Sequence, residues 1–166
     1  DLMCLSKGLT GGFMPMGVTL ATAEIYDSFY STDRSKTFFH SSSFTGNAIA
    51  CAAAVANLEI WEREPVRARI QEIAGYHSNA LAAFRGRRGI ADVRQMGTIA
   101  AIELQVPDAG YLAALGPKLN AFYLEHDVLL RALGNVVYVL PPYCVRAAEL
   151  DRIYHVIDDS LAALLL

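Results

Sequence analysis

The order of elements in this sequence predicts an α/β architecture over residues 1–63 and an α+β unit over residues 64–166. Three observations carry that reading. Two short apolar runs, Leu2–Leu5 and Met16–Ala21, hold no charge, the pattern of strands covered on both faces. Val66, Ile70, Ile73, His77, Leu81 and Phe84 repeat at three- and four-residue intervals, as on one face of an amphipathic helix. Ile90–Arg94 and Thr98–Leu104 are joined through Met96-Gly97, the shape of a hairpin.

The remaining elements follow by the same rules. The second run enters its strand through Pro15, and Thr22 stands where an N-cap would begin a short helix, Ala23–Phe29, with Glu24 in its first turn. Ser31–Ser43 is polar and without period, hence a loop. Asn47 is placed to cap a helix running to about Trp61, apolar nearly all round, which predicts burial. Pro65 marks a helix start and a boundary, and Gly86 and Gly89 end the helix that follows. Leu112, Leu115, Leu119 and Phe122 predict a helix stopping near His126. Val128–Leu130 and Val136–Leu140 predict short strands around Gly134-Asn135. Leu150, Ile153, Tyr154, Ile157, Leu161 and Leu164 line a last helix.

With 54% hydrophobic residues the 166-residue chain has ample material for a core, and no apolar run reaches the length of a membrane span. A net charge of −3 with the signs interspersed offers no basic stripe for nucleic acid. Cys4, Cys51 and Cys144 are odd in number and widely spaced, which predicts buried thiols of a cytoplasmic protein and not a disulfide framework. No basic segment precedes the first apolar run, so no secretory signal is expected. His40, His77, His126 and His155 are scattered, without metal-ligand spacing; His77 and His155 are expected to be structural.

Chemistry concentrates at three places. Lys7 stands between an apolar run and a glycine-rich turn, in Leu2-Met3-Cys4-Leu5-Ser6-Lys7-Gly8-Leu9-Thr10-Gly11-Gly12. An ammonium desolvated at the mouth of a buried strand loses its proton more easily, and the neutral amine attacks a carbonyl to form a Schiff base. From the spacing alone, a solvated lysine at a strand end is the favoured reading. The order of Lys7 before Gly8, Gly11 and Gly12 is wrong for a nucleotide phosphate loop, so the glycines are read as tight turns. The hydroxyl-rich stretch His40–Asn47, just before a helix, is either an anion site or an ordinary capped loop. Arg131, directly after Val128-Leu129-Leu130, can grip a carboxylate with two parallel hydrogen bonds or lie free on the surface.

The segment Ser6–Gly17, the stretch His40–Ala54 and the end Val136–Tyr143 together resemble the class III aminotransferases, fold-type I enzymes that use pyridoxal 5′-phosphate (PLP). Within that family they are most similar to the biotin-pathway branch, which passes an amino group from S-adenosylmethionine to 8-amino-7-oxononanoate. The Pro141-Pro142-Tyr143 end discriminates that branch from other ω-aminotransferases. The resemblance implies the C-terminal part of a fold-type I PLP transferase, namely the end of its large domain (1–63) and its small C-terminal domain (64–166). It implies that Lys7 holds PLP and shuttles the substrate proton. Ser43 would reach the cofactor phosphate of the neighbouring subunit in a homodimer, and Arg131, Tyr138 and Gly8 would meet the substrate. Serine replaces the commoner threonine at position 43, and Ala48 replaces the usual proline after Asn47. The abrupt opening at Asp1 reads as a C-terminal fragment. The phosphate-gripping turn, the ring-stacking aromatic and the pyridine-pairing acid would then lie upstream, and the piece alone is expected to be inactive. The alternatives are another class III enzyme acting on an ω-amino acid such as 4-aminobutyrate or ornithine, or an inert dimerisation module.

Overall fold

Residues 1–40 and 42–164 are described by a computed structural model, in which the chain divides between Pro65 and Val66 into two units. In the first, β1 (Leu2–Leu5) pairs antiparallel with β2 (Val18–Ala21), Leu2 facing Ala21 and Leu5 facing Val18. Helix α1 (Ala23–Phe29) follows, and then α2 (Ala48–Arg63). Short 3₁₀ turns occupy Lys7–Thr10 and Arg34–Lys36.

The strands and helices stand where the pattern placed them, but their expected burial does not. Leu2 is 63% exposed and Leu20 50%, because a two-stranded ribbon has no further strands beside it and no helices over both faces within this unit. Helix α2 buries only Ala50 and Ala54, leaving Ile49, Val55 and Leu58 exposed. The cysteines likewise depart from expectation, since Cys4 and Cys144 are exposed and Cys51 half-buried. Thr22 occupies the N-cap of α1 without making a side-chain cap bond. Asn47 does cap α2, its Oδ1 accepting from the N–H groups of Ile49 (3.0 Å) and Ala50 (3.2 Å).

The second unit is a four-stranded antiparallel sheet in the order β3-β4-β6-β5, formed by Ile90–Met96, Ile99–Leu104, Val136–Val139 and Ala132–Leu133 respectively. With it go the helices α3 (Val66–Ala82), α4 (Leu115–Glu125) and α5 (Ala147–Leu164). Strand alternation sends Ala100, Ile102, Leu104, Val137 and Val139 to the core, where they meet Leu81, Leu119, Tyr123, Ile157 and Leu161. Leu112, expected on α4, lies outside it and is exposed. Tyr123, which the pattern did not single out, is wholly buried; burial pushes its hydroxyl pKa up to about 12, against the Ser160 hydroxyl bond that lowers it.

Val128–Leu130 is not a strand. Asp127 adopts φ 56°, and the N–H groups of Asp127 and Val128 return to the carbonyls of Leu124 and Tyr123, closing α4 with a Schellman ending. The chain is committed to that closure through Val128, so pairing begins only at Ala132.

A buried polar contact ties α3 to α5 and the β3–β4 turn. The ring of His77 lies within 3.2 Å of the Thr98 carbonyl through Nε2 and within 2.7 Å of the Tyr154 hydroxyl through Nδ1. A carbonyl only accepts, so Nε2 donates to Thr98; in the neutral ring, the form that burial favours, Nδ1 then accepts from the Tyr154 hydroxyl. Burial lowers the His77 pKa below its ordinary 6.5, opposed by the Thr98 bond. Below pH 6.5 the unfolded chain therefore binds a proton that the folded chain refuses, so stability is full above that pH and falls as pH drops toward the folded value. Urea unfolding between pH 5 and 8 (a range taken to bracket an ordinary histidine, about 6.5) should show this loss on acidification, and His77→Phe should flatten it. An unchanged slope in the variant would place the acid sensitivity elsewhere.

Candidate functional site

Lys7 opens the 3₁₀ turn that follows β1. The turn closes through Gly11, at φ 61°, and the N–H of Gly12 bonds the Lys7 carbonyl at 3.1 Å. Thr10 is buried beneath it; its hydroxyl donates to the Met14 carbonyl (2.7 Å) and accepts from the Met14 N–H (3.3 Å), fixing the exit toward β2. Asn57 of α2 holds the turn from outside, Nδ2 donating to the carbonyls of Gly8 (2.9 Å) and Leu9 (3.1 Å). A Cβ at Gly11 would stand 3.2 Å from Asn57 Oδ1, whereas one at Gly8 would meet nothing within 4 Å. The Lys7 side chain is exposed, so the desolvation expected of it is not supplied by the described residues.

Ser43 lies in an exposed turn ahead of α2; Ser41 falls outside the described residues. The turn is held by Thr45 N–H to the Ser42 carbonyl (3.0 Å) and Asn47 N–H to the Phe44 carbonyl (3.2 Å). Beside it runs a groove of about 920 Å³ whose lining includes Met14, Met16, His40, Ser42, Thr45 and Asn47, but neither Lys7 nor Ser43. Because Asn47 already satisfies two amides at the start of α2, an anion here would depend more on the loop hydroxyls than on the helix end.

Arg131 and Tyr138 belong to the second unit. Ala132 pairs with Val137 and Leu133 with Val136, so extending that register by one position sets Arg131 opposite Tyr138. Val137 and Val139 are buried in the core, and Tyr138, of opposite parity, is half-buried. Arg131 is exposed and borders a cleft of about 330 Å³ shared with Tyr111, Asn120 and Gly134. Asn120 Oδ1 accepts the Ala132 N–H at 2.7 Å, fixing the residue next to Arg131. Buried Asn135 accepts from Gly110 N–H (2.8 Å) and donates to the Leu104 carbonyl (2.9 Å), bracing the β5–β6 turn.

The structure thus places Lys7 and Gly8 in one turn, and Arg131 one residue before β5, whose partner strand β6 carries Tyr138, each pair within its own unit. Asn57, Asn120 and Thr10 were not singled out from sequence. The available signal for Asn57 was a lone amide in the apolar run Ala52–Leu58, where a polar group needs a partner. Among the described residues no three His, Cys, Asp or Glu side chains gather as a metal site, and no helix is long and apolar enough to cross a membrane.

Comparison with known proteins bears directly on this arrangement. The description of aminotransferase class III matches residues 1–161. The adenosylmethionine-8-amino-7-oxononanoate aminotransferase of Synechococcus elongatus is 42% identical over 97% of this chain. The alignment covers 38% of that protein, so the chain spans well under half the length of this relative. The crystal structure of the enzyme of the same name from Methanocaldococcus jannaschii superposes with a TM-score of 0.89 at 33% identity, covering 100% of this chain and 39% of that one. An omega-transaminase from Pseudomonas jessenii, solved in complex with PMP, gives 0.83 at 27% identity, covering 99% of this chain and 38% of its own. Matched through residues 1–161, with its lysine-bearing turn and its mixed helix–sheet second unit, this chain belongs to the class III aminotransferases, a family of PLP-dependent transferases.

Proposed function

We propose that the protein bearing this chain transfers an amino group from S-adenosylmethionine to 8-amino-7-oxononanoate, as a cytoplasmic homodimer with active sites at its interface. The observation that carries the reading is the 42% identity, over nearly all of this chain, with a relative named for those two substrates. The described residues suit the cofactor. Lys7 offers an exposed primary amine on a turn braced by Asn57 and Thr10, and Ser43 offers an exposed hydroxyl in the loop before α2.

PLP, when bound, supplies the electron sink for chemistry at the amine-bearing carbon. Lys7 Nζ would be its point of covalent attachment and the acid–base group that moves the substrate proton. The Ser43 hydroxyl would donate to the phosphate of the neighbouring subunit, doing without the packing methyl of a threonine. Arg131 would orient the acceptor carboxylate through two parallel N–H donors, with Tyr138 beside it by strand register. Gly8, where a side chain would meet nothing, leaves room for substrate next to the lysine. A second reading, an ω-aminotransferase with another acceptor, is favoured by the superposition on the Pseudomonas jessenii enzyme, but at 27% identity against 42%.

Borohydride reduction of the PLP-loaded full-length protein should fix the pyridoxyl group on Lys7; label on Lys36 or Lys118 instead would reject the assignment. Ser43→Ala should weaken PLP retention by roughly 1–3 kcal/mol, the range for a hydrogen bond to a charged group, read by cofactor dialysis. Arg131→Ala should impair the half-reaction with 8-amino-7-oxononanoate by roughly 2–5 kcal/mol, as a bidentate charged contact is lost. Equal rates in wild type and Arg131→Ala would remove Arg131 from the substrate site.

A further inference from the structure

We propose that Asn57 is a positioning residue for Lys7: by gripping the Gly8 and Leu9 carbonyls, its amide sets where Lys7 Nζ stands relative to cofactor and substrate. The inference rests on the assignment of Lys7 above and adds to it a residue on a different element, 49 positions away from Gly8.

The turn is closed at Lys7 by Gly12 N–H (3.1 Å) and entered by Leu9 N–H on the Ser6 carbonyl (2.8 Å). At Gly8, however, its own bond is weak: Gly11 N–H stands 3.5 Å from the Gly8 carbonyl, at the edge of hydrogen bonding, whereas Asn57 reaches the same carbonyl at 2.9 Å. A four-residue 3₁₀ segment has little cooperativity of its own, so an external amide on two of its carbonyls adds a restraint from α2 that the turn's own bonds do not supply. Both outward bonds leave from the single Nδ2, and Oδ1 faces the place where a Cβ at Gly11 would stand, at 3.2 Å. That geometry makes Gly11, already at φ 61°, the residue that permits Asn57 its approach. Asn57 also stands in an otherwise apolar stretch, Ala52-Ala53-Ala54-Val55-Ala56 before it and Leu58 after. An amide there has no partner on its own helix face, and the structure spends it on the lysine turn.

A restraint of this kind acts through backbone and not by touching the reacting atoms. Releasing it shifts Nζ without removing any binding contact, so turnover should fall while substrate affinity stays. The test uses the full-length protein loaded with PLP, with Asn57→Ala and Asn57→Asp, which abolish the donor, and Asn57→Gln, which retains an amide. Removal should lower kcat by about 10- to 100-fold, the cost of misplacing a reacting group, with KM little changed. It should also move the pH midpoint of the visible absorption of the lysine-bound cofactor, with Asn57→Gln recovering part of both effects. A purely structural amide would lower the melting temperature in step with folded yield and leave that midpoint where it was; this result overturns the inference. If Asn57→Ala fails to accumulate, Asn57→Asp and Asn57→Gln decide by the same midpoint. Reductive labelling of wild type keeps the two levels apart. Label on Lys7 with unshifted Asn57 variants overturns only the positioning role, whereas no label on Lys7 overturns the underlying function.

Discussion

Two hydrogen bonds from the Asn57 amide to the Gly8 and Leu9 carbonyls hold the turn that opens at Lys7. The role proposed for Lys7, attachment point and acid–base group, asks for a side chain mobile at its tip and fixed at its base. The tip is exposed, with four rotatable bonds in the stem. The base is a short turn tied to α2 by Asn57 and to the β2 approach by Thr10. The same helix begins at Asn47, whose side chain ends the hydroxyl-bearing loop. Ten residues of helix rise separate these two asparagines by about 15 Å, so one rigid rod orients both the lysine turn and the loop of Ser43.

The second unit solves a different problem with the same means. Its core is built by strand alternation and three helices, and buried His77, Tyr123, Asn135, Tyr154 and Ser160 each find a hydrogen-bond partner there. His77 with Tyr154 and Thr98, and Tyr123 with Ser160, join elements distant in sequence at the cost of requiring neutral partners. Asn120 and Asn135 do for Arg131 and its neighbours what Asn57 does for Lys7: a side-chain amide stands in for ladder bonds that a two-residue strand cannot make. Arg131 directly precedes Ala132, which Asn120 and the pairing with Val137 hold in place.

Much of this was legible in the sequence, and what was not has physical causes. The hairpin of β3 and β4, the α3 and α5 faces and the Asn47 cap follow from local periodicity and cap chemistry, which act over a few residues. The Lys7, Ser43, Arg131 and Tyr138 positions came from motif likeness, which composition alone could not have supplied. Burial of β1, β2 and α2 was overestimated because an apolar run reports what a segment can bury, while the covering layer must come from elsewhere in space. The strand expected at Val128–Leu130 was displaced by the Schellman closure of α4, where Asp127 takes the left-handed conformation that aspartate tolerates better than most side chains. Asn57 and Asn120 escaped because their partners are backbone carbonyls and amides, which leave no mark in the pattern of side chains.

The proposed acceptor, 8-amino-7-oxononanoate, separates this reading from that of another class III aminotransferase. Single-turnover amine transfer from the amine-loaded full-length protein, run against a panel of keto acceptors, tests it most directly. Fastest transfer to 8-amino-7-oxononanoate is the predicted result. Fastest transfer to 2-oxoglutarate or succinic semialdehyde, with 8-amino-7-oxononanoate inert, would contradict it.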